Sequence, residues 1–157
     1  MIVLGIDPGA SGALAWGTEF NSESMPFPYA SEVDINEAFR KILGGEFEKT
    51  KLHAFIEAVH SFPGQGVASS FAFGKSYGFL RGLLIANKIA FETVQPRAWQ
   101  KTFNMKSSKE ESKTDWKRRL KARAQEMFPR IKVTLATADA LLIMEHGRRQ
   151  LAARLVK

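Results

Sequence analysis

Asp7, Glu57 and Asp139 each sit beside apolar sequence, where an ionised carboxylate needs a cation, a cluster of donors or a metal. Asp7 closes the run Ile2-Val3-Leu4-Gly5-Ile6, Glu57 follows Phe55-Ile56 directly, and Asp139 lies within Ala136-Thr137-Ala138-Asp139-Ala140-Leu141-Leu142. Two of the three also have an ordinary structural reading. Asp7, next to Pro8-Gly9, serves equally as an Asx turn, and Asp139 in a first helical turn complements the helix dipole, with Thr137 as N-cap. Glu57 has no such alternative, since Glu is a weak turn residue and Ala58-Val59 continue the apolar context. Together, acids from three separate elements form an oxygen-donor set of the kind that holds Mg²⁺ or Mn²⁺. Two such ions about 3.5–4 Å apart would clamp a phosphate and activate water for in-line attack.

The composition narrows the alternatives. The chain has no Cys, which removes disulfides, thiol nucleophiles and Cys-zinc sites, and its three His (His53, His60, His146) are too scattered for a zinc set. With 157 residues, 45% of them apolar and 25% charged, an ordinary globular domain spanning 1–157 is expected, without repeats, low-complexity tracts or a second core. The apolar runs are far short of the roughly 20 residues of a membrane span, and no leader segment precedes the first strand, so a soluble, cytoplasmic protein is expected. Charge is lopsided. Residues 1–96 carry 7 basic and 10 acidic side chains and residues 97–157 carry 16 and 6, a net of −3 against +10. Such a field fits a nucleic-acid partner better than a membrane, because aromatic anchors are not gathered on a basic amphipathic stripe; a merely solvated lysine-rich helix is the plain alternative.

The elements that must position the acids can be read from pattern and punctuation. Residues 2–7 and 12–17 form a hairpin around Pro8-Gly9-Ala10-Ser11, with a further extended segment within 20–28. Asp34 caps a helix over 35–43, with Glu37 as its capping-box partner and Gly44-Gly45 as its stop. A strand at 51–57 precedes a long helix at 67–87, a strand at 90–95, and a short helix from Pro96 to 103. A polar connector at 104–112, a basic helix at 113–128, a short strand at 131–135 and a last helix at 137–155 complete an α/β chain: a mixed central sheet with helices on both faces. On the long helix Val67, Phe71, Gly74, Gly78, Gly82 and Ile85 share one face while Phe73, Tyr77, Leu80 and Leu84 share another. A helix apolar on two sides is buried on two sides, either within one subunit or against a second copy.

At this point the motifs resemble a known family. Gly5-Ile6-Asp7-Pro8-Gly9-Ala10-Ser11-Gly12-Ala13, Ile56-Glu57-Ala58-Val59-His60-Ser61-Phe62-Pro63-Gly64-Gln65-Gly66, Phe73-Gly74-Lys75-Ser76-Tyr77-Gly78, Val94-Gln95-Pro96-Arg97-Ala98-Trp99 and Ala138-Asp139-Ala140-Leu141-Leu142 are together similar to the RuvC-type Holliday-junction resolvases, nearest to the small phage and prophage members. The resemblance implies an RNase H-like fold, a homodimer, and Mg²⁺- or Mn²⁺-dependent nicking of four-way DNA junctions in a bacterial or phage-infected cell. By that match Asp7 is the first-strand catalytic acid, Glu57 the central-strand Glu and Asp139 the last acid, on the C-terminal helix. One departure stands out: the family commonly carries a further acid or His just before that last Asp, and Thr134-Leu135-Ala136-Thr137 has neither. His146 lies about 10 Å further along the helix axis, too far to share an ion with Asp139.

Candidate DNA contacts follow from charge and position. Phe62 is an aromatic near the proposed chemistry that could stack on an unpaired base, or equally anchor its own loop. Lys75, Arg81, Arg97, Lys101, Lys106, Lys109 and Lys113 are candidate phosphate contacts, whereas Trp99 and Trp116 read as packing residues. Two further functions stay open: a junction-binding protein with a degenerate nuclease site, and a general flap or branched-DNA nuclease, or a hybrid-cutting RNase, of the same fold. A third, weaker alternative is a phosphotransferase, because Asp7-Pro8-Gly9-Ala10-Ser11-Gly12 after a strand resembles the phosphate loop of sugar-kinase and actin-like ATPases, against which stand the short chain and the absence of a Gly-x-x-x-x-Gly-Lys-Ser/Thr phosphate loop.

Overall fold

Ile2 to Ile6 are buried without interruption, and this run makes β1 (Ile2–Asp7) the middle strand of a five-stranded sheet. The computed structural model describes residues 1–44, 52–58 and 66–156. After β1 come β2 (Ala13–Gly17), β3 (Ser22–Pro26), α1 (Glu32–Gly44), β4 (Leu52–Glu57), α2 (Val67–Ala86), β5 (Ala90–Val94), α3 (Pro96–Thr102), α4 (Lys113–Met127) and α5 (Thr137–Leu155). The strand order is β3-β2-β1-β4-β5. The β1–β2 and β2–β3 pairs are antiparallel, and β1–β4 and β4–β5 are parallel.

Alternation along the strands splits the core in two. Ile2, Leu4 and Ile6, with Leu52, Ala54 and Ile56, point toward α1 and α2 and pack with Phe39, Leu80 and Leu84. Val3 and Phe55 point the other way, into a layer with Trp99 of α3, Leu120 and Ala124 of α4, and Leu141 to Met144 of α5. Fully burying each large apolar side chain contributes about 1.5–3 kcal/mol, and cover on both faces is why β1 reads as continuously apolar. α5 lies very close to the sheet. A Cβ at Gly5 would collide with the Ala140 carbonyl and the Met144 backbone, and the Phe55 ring fills the space a Cβ at Gly147 would need.

The structure corrects three of the sequence expectations. α1 begins at Glu32 rather than 35: the Asp34 N–H donates to the Ser31 hydroxyl at 3.2 Å while the Asp34 carboxylate accepts from the Ser31 N–H at 2.7 Å, so the capping box is Ser31 with Asp34. Glu37 instead pairs with Arg40 at 3.1 Å. The stretch 131–135 is not a strand, because Gln125 takes its backbone groups: the Val133 N–H donates to Gln125 Oε1 at 3.1 Å and Gln125 Nε2 donates to the Ile131 carbonyl at 3.0 Å. Thr137 is not the N-cap of α5. Its N–H donates to the Thr134 hydroxyl at 3.2 Å, and the Thr134 N–H donates to the Thr137 hydroxyl at 2.9 Å, a reciprocal pair one turn earlier than anticipated. Of the two alternatives left open for the second apolar face of α2, burial within one subunit is not found among the described residues. Leu80 and Leu84 meet the sheet, but Val67 (87%), Phe71 (75%) and Ile85 (61%) are exposed, and a Cβ at Gly74, Gly78 or Gly82 would meet nothing. Gly45 and Lys51 lie outside the described residues. No helix among the described residues is long and apolar enough to cross a membrane.

Candidate functional site

The parallel pairing of β1 with β4 sets Ile6 opposite Ile56, so the residues that follow, Asp7 and Glu57, end two neighbouring strands at the same edge of the sheet. Two-residue alternation places Asp7 on the face of Val3 and Gly5, and Glu57 on the face of Phe55. That is the face α5 covers. Asp139 sits in the first turn of α5, 5% exposed, and Gly5 is what lets this helix come down so closely.

Each acid is held differently. Asp7 Oδ1 accepts from the Gly9 N–H at 3.2 Å, so the Asx turn and the candidate ligand are one residue. Gly12 closes that turn with an N–H donated to the Gly9 carbonyl at 2.8 Å, and any Cβ there would strike Asp7. Ser76 of α2 donates to the Pro8 carbonyl at 2.8 Å and fixes the turn from the other layer. Glu57 Oε1 accepts from the indole Nε1 of Trp99 at 2.8 Å. Asp139 Oδ2 forms an ion pair with the Lys117 ammonium, while its Oδ1 is buried with no hydrogen-bond partner among the described residues.

The electrostatics join the three. Burial pushes the Glu57 carboxyl up to about 7, with the Asp7 charge adding to it; the Trp99 hydrogen bond opposes, Asp139 raises and Lys117 lowers. Asp7 is likewise raised by burial and then by Asp139, against the Gly9 hydrogen bond and Lys117. For Lys117, burial works against the ammonium, yet contact with Asp139 and the pull of Asp7 and Glu57 carry the balance, and its pKa is raised. When all three are ionised, carboxylates that feel one another and face one lysine leave an excess of negative charge of the size a divalent ion neutralises. The orphaned Asp139 Oδ1 and the second oxygen of Glu57 are hard donors suited to Mg²⁺ or Mn²⁺. Among the described residues, however, no three acidic or histidine side chains converge as a ready ligand set. The donor chemistry fits a hard cation, and the cation that the structure sets against Asp139 is the Lys117 ammonium.

Trp99 and Lys117 are the residues that sequence reasoning missed. A buried indole N–H requires an acceptor, a signal that Trp99 would do more than pack. Lys117 stands three and seven residues before the buried Leu120 and Ala124, on the inward stripe of α4 rather than its solvated face.

The other candidates are dispersed. Phe62, like His60, lies outside the described residues. Lys75 is paired with Glu32 of α1 at 3.2 Å, and the Arg81 guanidinium lies over the Tyr77 and Phe91 rings at 5.6 and 5.7 Å. Arg97, Lys101, Lys106, Lys109 and Lys113 are exposed along α3, the connector and the start of α4, without an ion pair among the described residues. His146 is remote from the acids: its Nδ1 lies 2.7 Å from the Thr102 hydroxyl, its ring meets Phe55 edge-on, and burial lowers its pKa. Trp116 is partly buried beneath the Arg119 guanidinium, a packing residue as anticipated.

No family model and no curated protein matches the chain. Among solved structures it is similar to RuvC of Thermus thermophilus in complex with a Holliday junction substrate, with a TM-score of 0.63 and 14% identity over 99% of this chain and 96% of that one. A second Thermus thermophilus RuvC structure matches over the same extents with a TM-score of 0.55 and 14% identity. This likeness establishes the RNase H-like fold, a mixed five-stranded sheet with helices on both sides.

Proposed function

We propose that this protein is a metal-dependent, structure-selective DNA endonuclease that resolves four-way junctions, acting as a homodimer. The observation that carries the reading is that Asp7 and Glu57 end neighbouring parallel strands, within electrostatic reach of Asp139 on α5, in a fold shared with a junction-bound RuvC. A bound Mg²⁺ or Mn²⁺ supplies Lewis-acid polarisation of the phosphate and activation of the attacking water. Asp7 and Glu57, on adjacent strands, and Asp139 of α5 would hold it. Trp99 occupies one oxygen of Glu57 and would leave the other for the ion. Arg97, Lys101, Lys106, Lys109 and Lys113 bind the flanking phosphates, and Phe62 is proposed to stack near the crossover. The exposed Val67, Phe71 and Ile85 and the open glycines of α2 form the seam with the second copy, giving two equivalent sites for two equivalent strands.

The test is a cleavage assay on a synthetic four-way junction, a Y-fork and a linear duplex, in Mg²⁺, Mn²⁺ or EDTA. Paired, metal-dependent nicks in the junction are expected, and Glu57→Gln is expected to slow cutting by about a hundredfold or more while junction affinity in EDTA is kept. Equal cutting by that variant would sink the assignment. A second reading, a junction binder without nuclease activity, is favoured by one observation, the Lys117 ammonium seated on Asp139 where the sequence also lacks a further acid. It predicts tight binding with no cutting in either metal, and comparable cutting of fork and junction would instead mark a general branched-DNA nuclease.

A further inference from the structure

We propose that Lys117 is a tethered counter-cation that holds Asp139 in place of a divalent ion, so that loading the site requires the lysine to leave. The inference rests on the metal-dependent reading above and adds a competitor to it. Lys117 projects from α4, a different element from those that bear Asp7, Glu57 and Asp139, and its ammonium lies on Asp139 Oδ2. The partnership is unequal in burial: the Lys117 side chain is 46% exposed and that of Asp139 only 7%. The lysine can therefore swing to water without disturbing the core, whereas the carboxylate stays where it is. Asp139 Oδ1 has no hydrogen-bond partner among the described residues, so the lysine is the one cation that compensates a buried charge. A divalent ion brings twice the charge and would bind better were the amine not already there. The tether has a benefit as well, since without metal it spares the chain an uncompensated acid beside Asp7 and Glu57.

The proposal separates metal affinity from metal-free stability, and both are measurable without turnover. Isothermal titration of Mn²⁺ into the full chain is expected to show Lys117→Met binding roughly fivefold or more tightly than the wild type. Lys132→Met, which removes an exposed charge from the loop before α5, controls for net charge and is expected to leave the Mn²⁺ affinity alone. In EDTA, Lys117→Met is expected to melt at a lower temperature than the wild type, and saturating Mn²⁺ is expected to raise its melting temperature by more. Because Lys117 is half exposed, this variant retains its core contacts and folds. Mn²⁺ binding that is equal in the wild type and Lys117→Met, or weaker in the variant, overturns the proposal and leaves the nuclease reading intact. Absence of binding in both proteins overturns the two together.

Discussion

At the scale of single residues, Glu57 carries a consequence that follows from its raised pKa. Its ordinary carboxylate value is 4.5 and in the folded chain it is pushed up to about 7, so between those values the native state binds the proton that the unfolded chain has released. A carboxyl raised in this way favours folding at low pH, and that advantage is lost as pH rises from the unfolded value through the folded one. A loss of at most about 3 kcal/mol is expected from this group across pH 4.5–7 in EDTA, and urea unfolding at a series of pH values measures it. In Glu57→Gln that part of the pH dependence is expected to vanish. How far the site was legible follows from the same chemistry. Asp7, Glu57 and Asp139 stood out because an acid beside apolar sequence has few explanations. Lys117 did not, because in a run as basic as Lys113 to Arg123 one inward lysine is hidden among outward ones unless its spacing to Leu120 and Ala124 is weighed. Trp99 was placed correctly in the core, and its hydrogen bond escaped notice because sequence shows burial more readily than partners.

At the scale of elements, α2 makes the sharpest demand. Its sheet-facing side is satisfied by Leu80 and Leu84, and its other side leaves apolar residues and a glycine stripe open to water. Glycine in a helix costs about 1 kcal/mol relative to alanine, a cost that close approach of a second α2 would offset. Sedimentation equilibrium at tens of micromolar is expected to show a dimer, and Ile85→Glu, which would bury an unpaired charge in the seam, is expected to raise its dissociation constant by about a hundredfold or more. A wild-type chain that remains a monomer would remove the seam. Strands and long helices were legible because their periods are strong, whereas the misread pieces were short and governed by individual side chains. Gln125 satisfies the backbone that resembled a strand at 131–135, and Ser31 caps α1 ahead of the Asp34 that seemed to start it. Both are tertiary or capping choices among several polar residues of similar aptitude.

At the scale of the whole molecule, the charge asymmetry acquires a direction. α3, α4 and α5, which carry most of the basic half, lie on the face of the sheet that Asp7 and Glu57 share, and α1 and α2 lie on the other. A second copy seated on α2 therefore leaves the basic face uncovered. If Arg97, Lys101, Lys106, Lys109 and Lys113 all meet phosphates, at about 0.9 per contact the logarithm of junction affinity falls with a slope of about −4.5 against the logarithm of salt concentration. Fluorescence anisotropy in EDTA from 50 to 200 mM salt checks this, and a flat response contradicts the contact set. β1 stands at the centre of all these arrangements. It pairs on both edges, bears Asp7 at its end and seats α5 on Gly5, so tolerance to mutation is distributed very unevenly along this chain. Solvent-facing positions of α4 beyond Lys113 can drift more freely, but six consecutive residues answer at once to two strands and a helix, and a single added methyl group at Gly5 would be felt by all of them.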